Sequence, residues 1–382
     1  MNTTENALLE LIKKSQFGID FIPQHDCDYS AVLHEAKQQS VLGLVCQFIP
    51  PSAFPEGKEW QHIVERQRFS LIRYLHEQNS IKHAFDEVGI PFVVLKGCAS
   101  AIYYADPSKR SMGDIDLLVS KEDYEKAKKI LLSGGYYIHH EEDTRNIALK
   151  NHSVIVELHR QFSAVDKDIE KYVNDGMKRS ELHSIEGFTF PMLPRLSNGL
   201  VLLEHMRQHL KGGLGLRQII DWMMYVHSEL DDDFWNESFR DVAVSEGLDK
   251  LAAVVTKMCQ KHMGLSKTIT WPSFAEEELC DELLANIFQS GNFGSKQGQG
   301  RNVEAVTAAI KREGLFRRLQ KSGEHNWRAY KKHHWLKPIC WIYQACRYMK
   351  QGRETGRSIK QIMDDTNRGK QRAELIKKLG GD

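Results

Sequence analysis

Leu95-Lys96-Gly97-Cys98, followed after a short interval by Arg110-Ser111-Met112-Gly113-Asp114-Ile115-Asp116-Leu117-Leu118-Val119, is the stretch that decides how this chain folds. Pro91-Phe92-Val93-Val94-Leu95 reads as a buried strand that stops at Gly97, and Ala99-Ser100-Ala101-Ile102-Tyr103-Tyr104 reads as the helix after it. A second strand carries Asp114 and Asp116. Side chains alternate faces along a strand, so these carboxylates point together while Ile115, Leu117 and Val119 turn into a core. Adjacent carboxylates repel unless a cation lies between them. Hard oxygen donors with room left for water and phosphate suit Mg2+ or Mn2+ rather than zinc. The glycine turn leaves backbone N–H groups at a helix start, where a phosphate is favoured.

Working outward, Ser153-Val154-Ile155-Val156-Glu157-Leu158-His159 supplies a third acidic group. Val154, Val156 and Leu158 face one way, and Ile155, Glu157 and His159 the other. If this strand lies beside 115–119, Glu157 joins Asp114 and Asp116. Such a triad would align a nucleoside triphosphate for in-line attack on its α-phosphorus.

These residues resemble the DNA polymerase beta type nucleotidyltransferase superfamily, with its strand, Gly-[Gly/Ser] turn, Asp-x-Asp strand and lone acidic residue on a third strand. The ordered series LKG, R..GDIDLLV, GGY, VELH, LLEHMRQHLKGGLGLRQIID and SGNFG, between about Phe92 and Phe293, is more closely similar to a bacterial family of uncharacterised nucleotidyltransferases. The resemblance implies a small mixed α/β (α+β) sheet, a metal-dependent transferase, and Asp114, Asp116 and Glu157 as metal-holding, catalytic residues. It places Lys96, Gly97, Arg110 and Gly113 where phosphates lie. Cys98 departs from the pattern, because a thiol is a weaker donor than the usual serine hydroxyl; Ser100 is a candidate to compensate. Taken alone, Cys98 reads as a small packing residue rather than a nucleophile.

The same block makes His159, His205, His209, Arg217 and Asp221 candidates for lining the cleft. Ser197 is expected to cap a helix over 198–210 that carries His205 and His209 one turn apart. The alternative for Arg217 and Asp221, four residues apart, is an ordinary intrahelical ion pair. No zinc-type third ligand accompanies the two histidines in sequence.

Length bounds the architecture: 382 residues exceed what one small core needs. Expected units are an N-terminal helical region over 1–90, a nucleotidyltransferase core over 91–195, a helical part closing the cleft over 196–290, a Gly-rich loop over 291–301 and a C-terminal helical region over 302–382. Helices are expected over 5–15, 29–39 and 62–88, and from a Ser120/Asp123 capping box through 132. Strands are expected over 136–140 and 146–150. Residues 301–382 hold 20 Lys+Arg against 8 Asp+Glu, whereas the whole chain is only +1. That basic, aromatic tail suits either a weak contact with an anionic surface or a helix docked on the acidic remainder of the chain. The second reading is preferred, because 338–348 keeps apolar residues at helical spacing.

No apolar run reaches the roughly 18 residues of a spanning helix, and the first residues lack a secretory pattern. Seven scattered cysteines without paired spacing suit a reducing cytoplasm. The expected activity is transfer of a nucleoside monophosphate from an NTP, with Mg2+ or Mn2+, releasing pyrophosphate. A small-molecule, glycan-related or protein acceptor is favoured over nucleic acid. The alternatives are a catalytically degenerate nucleotide-binding or protein-interaction module, and RNA-directed nucleotide addition through the basic tail.

Overall fold

The computed structural model describes residues 1–20, 27–54, 60–140, 145–162, 167–296, 314–354 and 359–381. Helix α1 (Thr3–Phe17) opens on a reciprocal cap: the Asn2 side chain accepts from the Glu5 N–H and Glu5 accepts from the Asn2 N–H, both at 2.9 Å. Gly18, at φ 66°, closes it in the left-handed conformation that lacks a steric cost for glycine. Helix α2 (Tyr29–Gln38) and the 27-residue α3 (Trp60–Asp86) follow.

The sheet has seven strands in the order β3-β4-β5-β2-β1-β7-β6. Strand β1 (Phe92–Leu95) is entirely buried and leads through the glycine turn into α4, a single turn over Cys98–Ala101. The expected longer helix stops there because Tyr103 and Tyr104 leave it to make tertiary bonds, accepting from Asn198 and donating to Asp221 respectively. Strand β2 (Ile115–Val119) pairs antiparallel with β1. In the turn before α5 (Tyr124–Ser133), Ser120 accepts from the Asp123 N–H at 3.0 Å and its hydroxyl donates to the Asp123 carboxylate at 2.8 Å; the expected capping box is corrected, because the helix is entered at Asp123, whose side chain caps no helix N–H. Strands β3 (Tyr137–His140), β4 (Asn146–Lys150) and β5 (Ile155–His159) complete one half of the sheet.

After α6 (Lys167–Met177) comes a hairpin without a counterpart among the sequence expectations, β6 (Glu181–Ile185) and β7 (Phe188–Met192). Its turn is Glu186-Gly187, with φ values of 50° and 81°, the paired positive-φ geometry that matches strand twist. Strand β7 adds to β1 in parallel. Helix α3 packs on β7 and on α5, and α5 reaches β5, so these helices close one face of the sheet.

The second helical layer holds α7 (Arg195–Leu210), α8 (Leu216–Glu229), α9 (Asp249–His262) and α10 (Glu277–Ser290). The expected Ser197 cap is corrected: α7 begins at Arg195 behind Pro194, and the Ser197 hydroxyl donates to the Tyr172 carbonyl at 2.8 Å. Proline suits the N-cap place, since it has no N–H to leave unpaired at a helix start. Of the Gly-rich segment, residues 297–301 lie outside the described residues, as do 302–313 of the basic tail. Helix α12 (Cys340–Glu354) packs on α11 (Leu315–Asn326), and Trp327 stacks on Tyr343 at 5.0 Å and 7°. The element of the basic tail that docks on the acidic remainder is instead α13 (Ile359–Lys378), against α10: Lys378 meets Glu282 at 2.6 Å, and Arg372 donates to the Ser290 hydroxyl at 2.8 Å. Among the described residues, no helix is long and apolar enough to cross a membrane.

Candidate active site

Strands β2 and β5 are parallel neighbours, and in their register Asp116 stands opposite Glu157. The period-2 alternation therefore delivers Asp116, Glu157 and His159 to one face, while Leu117 and Leu158 bury on the other. Asp116 is 2% exposed. Its Oδ1 lies 2.9 Å from Lys96 Nζ and 3.1 Å from His159 Nε2, and that ring nitrogen is 3.5 Å from Glu157 Oε2. Asn146, from the neighbouring β4, reaches Glu157 at 3.4 Å. Tyr74 of α3 donates to the Gly113 carbonyl at 2.7 Å, tethering the segment that leads into β2. Lys96 and Gly97 both have positive φ, 43° and 49°, which bends the chain over the end of β1.

A cavity of about 240 Å³ opens over this face. Of the fourteen residues singled out in sequence, twelve line it: Lys96, Gly97, Arg110, Gly113, Asp114, Asp116, Glu157, His159, His205, His209, Arg217 and Asp221. Cys98 and Ser100 do not. They are 3% and 1% exposed, and burial pushes the Cys98 thiol up to about 12, so it packs as a neutral group.

Arg110 is occupied. Its Nε and one terminal nitrogen donate to the two Asp221 oxygens at 2.8 and 2.7 Å, and the Tyr104 hydroxyl donates to Asp221 at 2.7 Å. The expected Arg217–Asp221 intrahelical pair is thereby replaced by a bidentate pair between α8 and the loop before β2. Arg217 has different surroundings: one terminal nitrogen reaches the Ser111 carbonyl at 3.4 Å, its Nε is buried without a hydrogen-bond partner, and its guanidinium lies over the Phe293 ring. His205 and His209 stand edge to face with ring centres 4.2 Å apart.

Residues 25–264 match the family described as uncharacterised nucleotidyltransferase. The chain belongs to this family. Comparison with curated proteins returns no match. Among solved structures, the nucleotidyltransferase chain is similar to the antibiotic-resistance factor ANT(2'')-Ia, with TM-score 0.35 and 14% identity over 46% of this chain and 91% of that one. It is also similar to an antigenic nucleotidyltransferase-like protein from Paracoccidioides brasiliensis, with TM-score 0.32 and 12% identity over 51% and 95% of the respective chains.

The electrostatics of the nucleotidyltransferase cleft fit a divalent cation. Burial and the charge of Asp116 push the Asp114 carboxyl up to about 6, a crowding of negative charge that a cation would relieve. Burial opposes the charge on Asp116 too, but Lys96 and His159 outweigh it and hold that carboxyl well below the usual range. Burial likewise pulls Lys96 and His159 down, and the surrounding carboxylates more than offset it, so both are raised. Among the described residues, ligand atoms of Asp116, Glu157 and His159 lie within 4.8 Å of one another. The cluster expected from sequence had Asp114 in the place His159 takes; Asp114 lines the cavity beside it.

Sequence reasoning missed Arg145, Asn146, Phe162, Gln208 and Gln218 in the lining, and gave Phe293 no role. Asn146 had a usable signal, since a polar residue opening the strand before Glu157 falls opposite His159 in an antiparallel pair. Gln208 sits three residues after His205 on one helix face and could have been read with it.

Proposed function

We propose that this cleft binds a nucleoside triphosphate with Mg2+ or Mn2+ and transfers its nucleoside monophosphate to an acceptor hydroxyl or phosphate. The observation that carries the reading is the register of Asp116 opposite Glu157, beside Asp114 and under a glycine turn. Asp114, Asp116 and Glu157 would hold the cation, with His159, on the same face, bonded to Asp116 and fixing its orientation. A bound divalent cation would neutralise the polyphosphate and the charge that develops on its leaving oxygen.

This chain's own residues do the rest. The cations of Lys96 and Arg217 orient the polyphosphate, while Arg110, spent on Asp221, braces α8 against the loop before β2. Glu157 accepts the acceptor's proton as its oxygen attacks the α-phosphorus; the bond to the bridging oxygen breaks and the electron pair leaves with pyrophosphate. A small-molecule, glycan-related or protein acceptor is favoured over nucleic acid. A second reading, a nucleotide-binding module without turnover, draws on Cys98 in the usual serine position and on Lys96 bonded to Asp116.

Calorimetry with each of the four ribonucleoside triphosphates, with and without Mg2+, tests the proposal. Binding that needs Mg2+ and disappears in Asp114→Asn/Asp116→Asn supports it. Absence of binding by the wild type rejects it.

A further inference from the structure

Phe293 stands in the left-handed region, φ 53° and ψ 29°, between Gly291 and Gly294 at φ 68° and 69°. A bulky residue is strained there and persists only where its surroundings over-determine it. The surroundings of Phe293 do so. Asn292 donates to the Ser40 hydroxyl at 2.7 Å, Ser295 to the Gln38 carbonyl at 2.9 Å, and Lys296 to the Phe288 carbonyl at 2.6 Å. Opposite them the glycines of the α7–α8 connection leave no spare space: a Cβ on Gly213 would lie 2.4 Å from the Gly294 nitrogen, and one on Gly215 2.6 Å from the Asn292 Cα.

All of this holds one aromatic ring over the cleft. The Phe293 ring meets His209 edge to face at 4.6 Å and lies 5.3 Å from the Arg217 guanidinium carbon. Arg217 has donors to spare, because a 3.4 Å approach to Ser111 is weak and its Nε has no partner. An arginine in that condition swings among rotamers unless something fixes its plane, and a ring face does so without consuming an N–H group. Arg110, also in the lining, needs no such hold, being locked by Asp221.

We propose that Phe293 is a positioning residue for Arg217: the roof segment 291–296, pinned by the end of α2, uses this ring to aim the guanidinium at the polyphosphate of the bound nucleotide. The ligand's identity rests on the nucleotidyl transfer proposed above; the pairing of ring and guanidinium does not.

The test is a double-mutant cycle on the full-length protein, read by calorimetry with MgATP and with inorganic tripolyphosphate. Phe293→Leu is expected to weaken both by about tenfold, the scale of a desolvated cation–π contact, and Phe293→Tyr to restore them. In an Arg217→Gln background, Phe293→Leu is expected to cost little more, because the cation it positions is gone. Equal losses in the two backgrounds, or no loss in either, overturn the proposal while leaving nucleotidyl transfer standing. Wild type that binds tripolyphosphate but none of the four nucleoside triphosphates overturns the transfer reading, and the cycle on tripolyphosphate still decides the role of Phe293. Wild type that binds neither overturns both.

Discussion

Arg110 and Asp221 lie 111 residues apart in the chain and are joined by two parallel hydrogen bonds of 2.8 and 2.7 Å inside the protein, where their side chains are 5% and 6% exposed. The pair ties the loop that leads into the Asp-x-Asp strand to the helix that carries Arg217.

Breaking one partner of this pair leaves the other charge buried without compensation. Asp221→Asn is therefore expected to lower unfolding free energy by about 3–5 kcal/mol, whereas an apolar replacement of both residues costs much less than twice that. Denaturant melts of the two single variants and the double variant measure it; additive losses would contradict the pairing.

Divalent cation should stabilise the fold through the acidic cluster. Wild type is expected to gain several degrees in thermal midpoint on adding Mg2+ in excess over its dissociation constant, by mass action worth about 2.7 kcal/mol at a hundredfold excess. Asp116→Asn should gain nothing, and an equal gain in both proteins would place the cation elsewhere.

His205 sets an acid-side sensitivity. Burial, followed by the charges of Lys96, His209 and Arg217, holds its pKa well below the usual 6.5, so the folded state keeps the ring neutral. A folded pKa below the unfolded value means that the unfolded chain binds the extra proton as pH falls below about 6.5, and stability drops with it. Wild type should therefore lose thermal stability between pH 7 and 5 more steeply than His205→Gln. Parallel curves for the two proteins would refute the buried neutral histidine.

Gly213 tests the packing under the roof. At φ 123° and with the Gly294 backbone 2.4 Å from where a Cβ would stand, Gly213→Ala must move one strand of loop against the other. A loss of about 1–3 kcal/mol in stability is expected, together with weaker nucleotide binding. A variant with unchanged melting and binding would show that the two loops are free to separate.

The sequence by itself determined the strands and what they carry. Alternation in 115–119 and 153–159 is a local property, so the facing of Asp116, Glu157 and His159 could be read before any pairing was known. The mix of strands and helices between helical regions was legible for the same reason; the mixed sheet and the family came from resemblance, through an ordered series of short motifs. Local chemistry ran out at the β6–β7 hairpin, whose positive-φ turn is built on Glu186 and Gly187 rather than the usual Asn-Gly.

Tertiary structure decided the partners. That Arg217 rather than Arg110 keeps donors unspent in the cleft turns on a bond between residues 110 and 221, and the expected pairing of 217 with 221 was equally consistent with helix spacing. The place of Phe293 depends on contacts to Ser40 and Gln38, more than 250 residues earlier. Charge neutralisation and close packing act through space, and chain separation carries no record of which groups will meet.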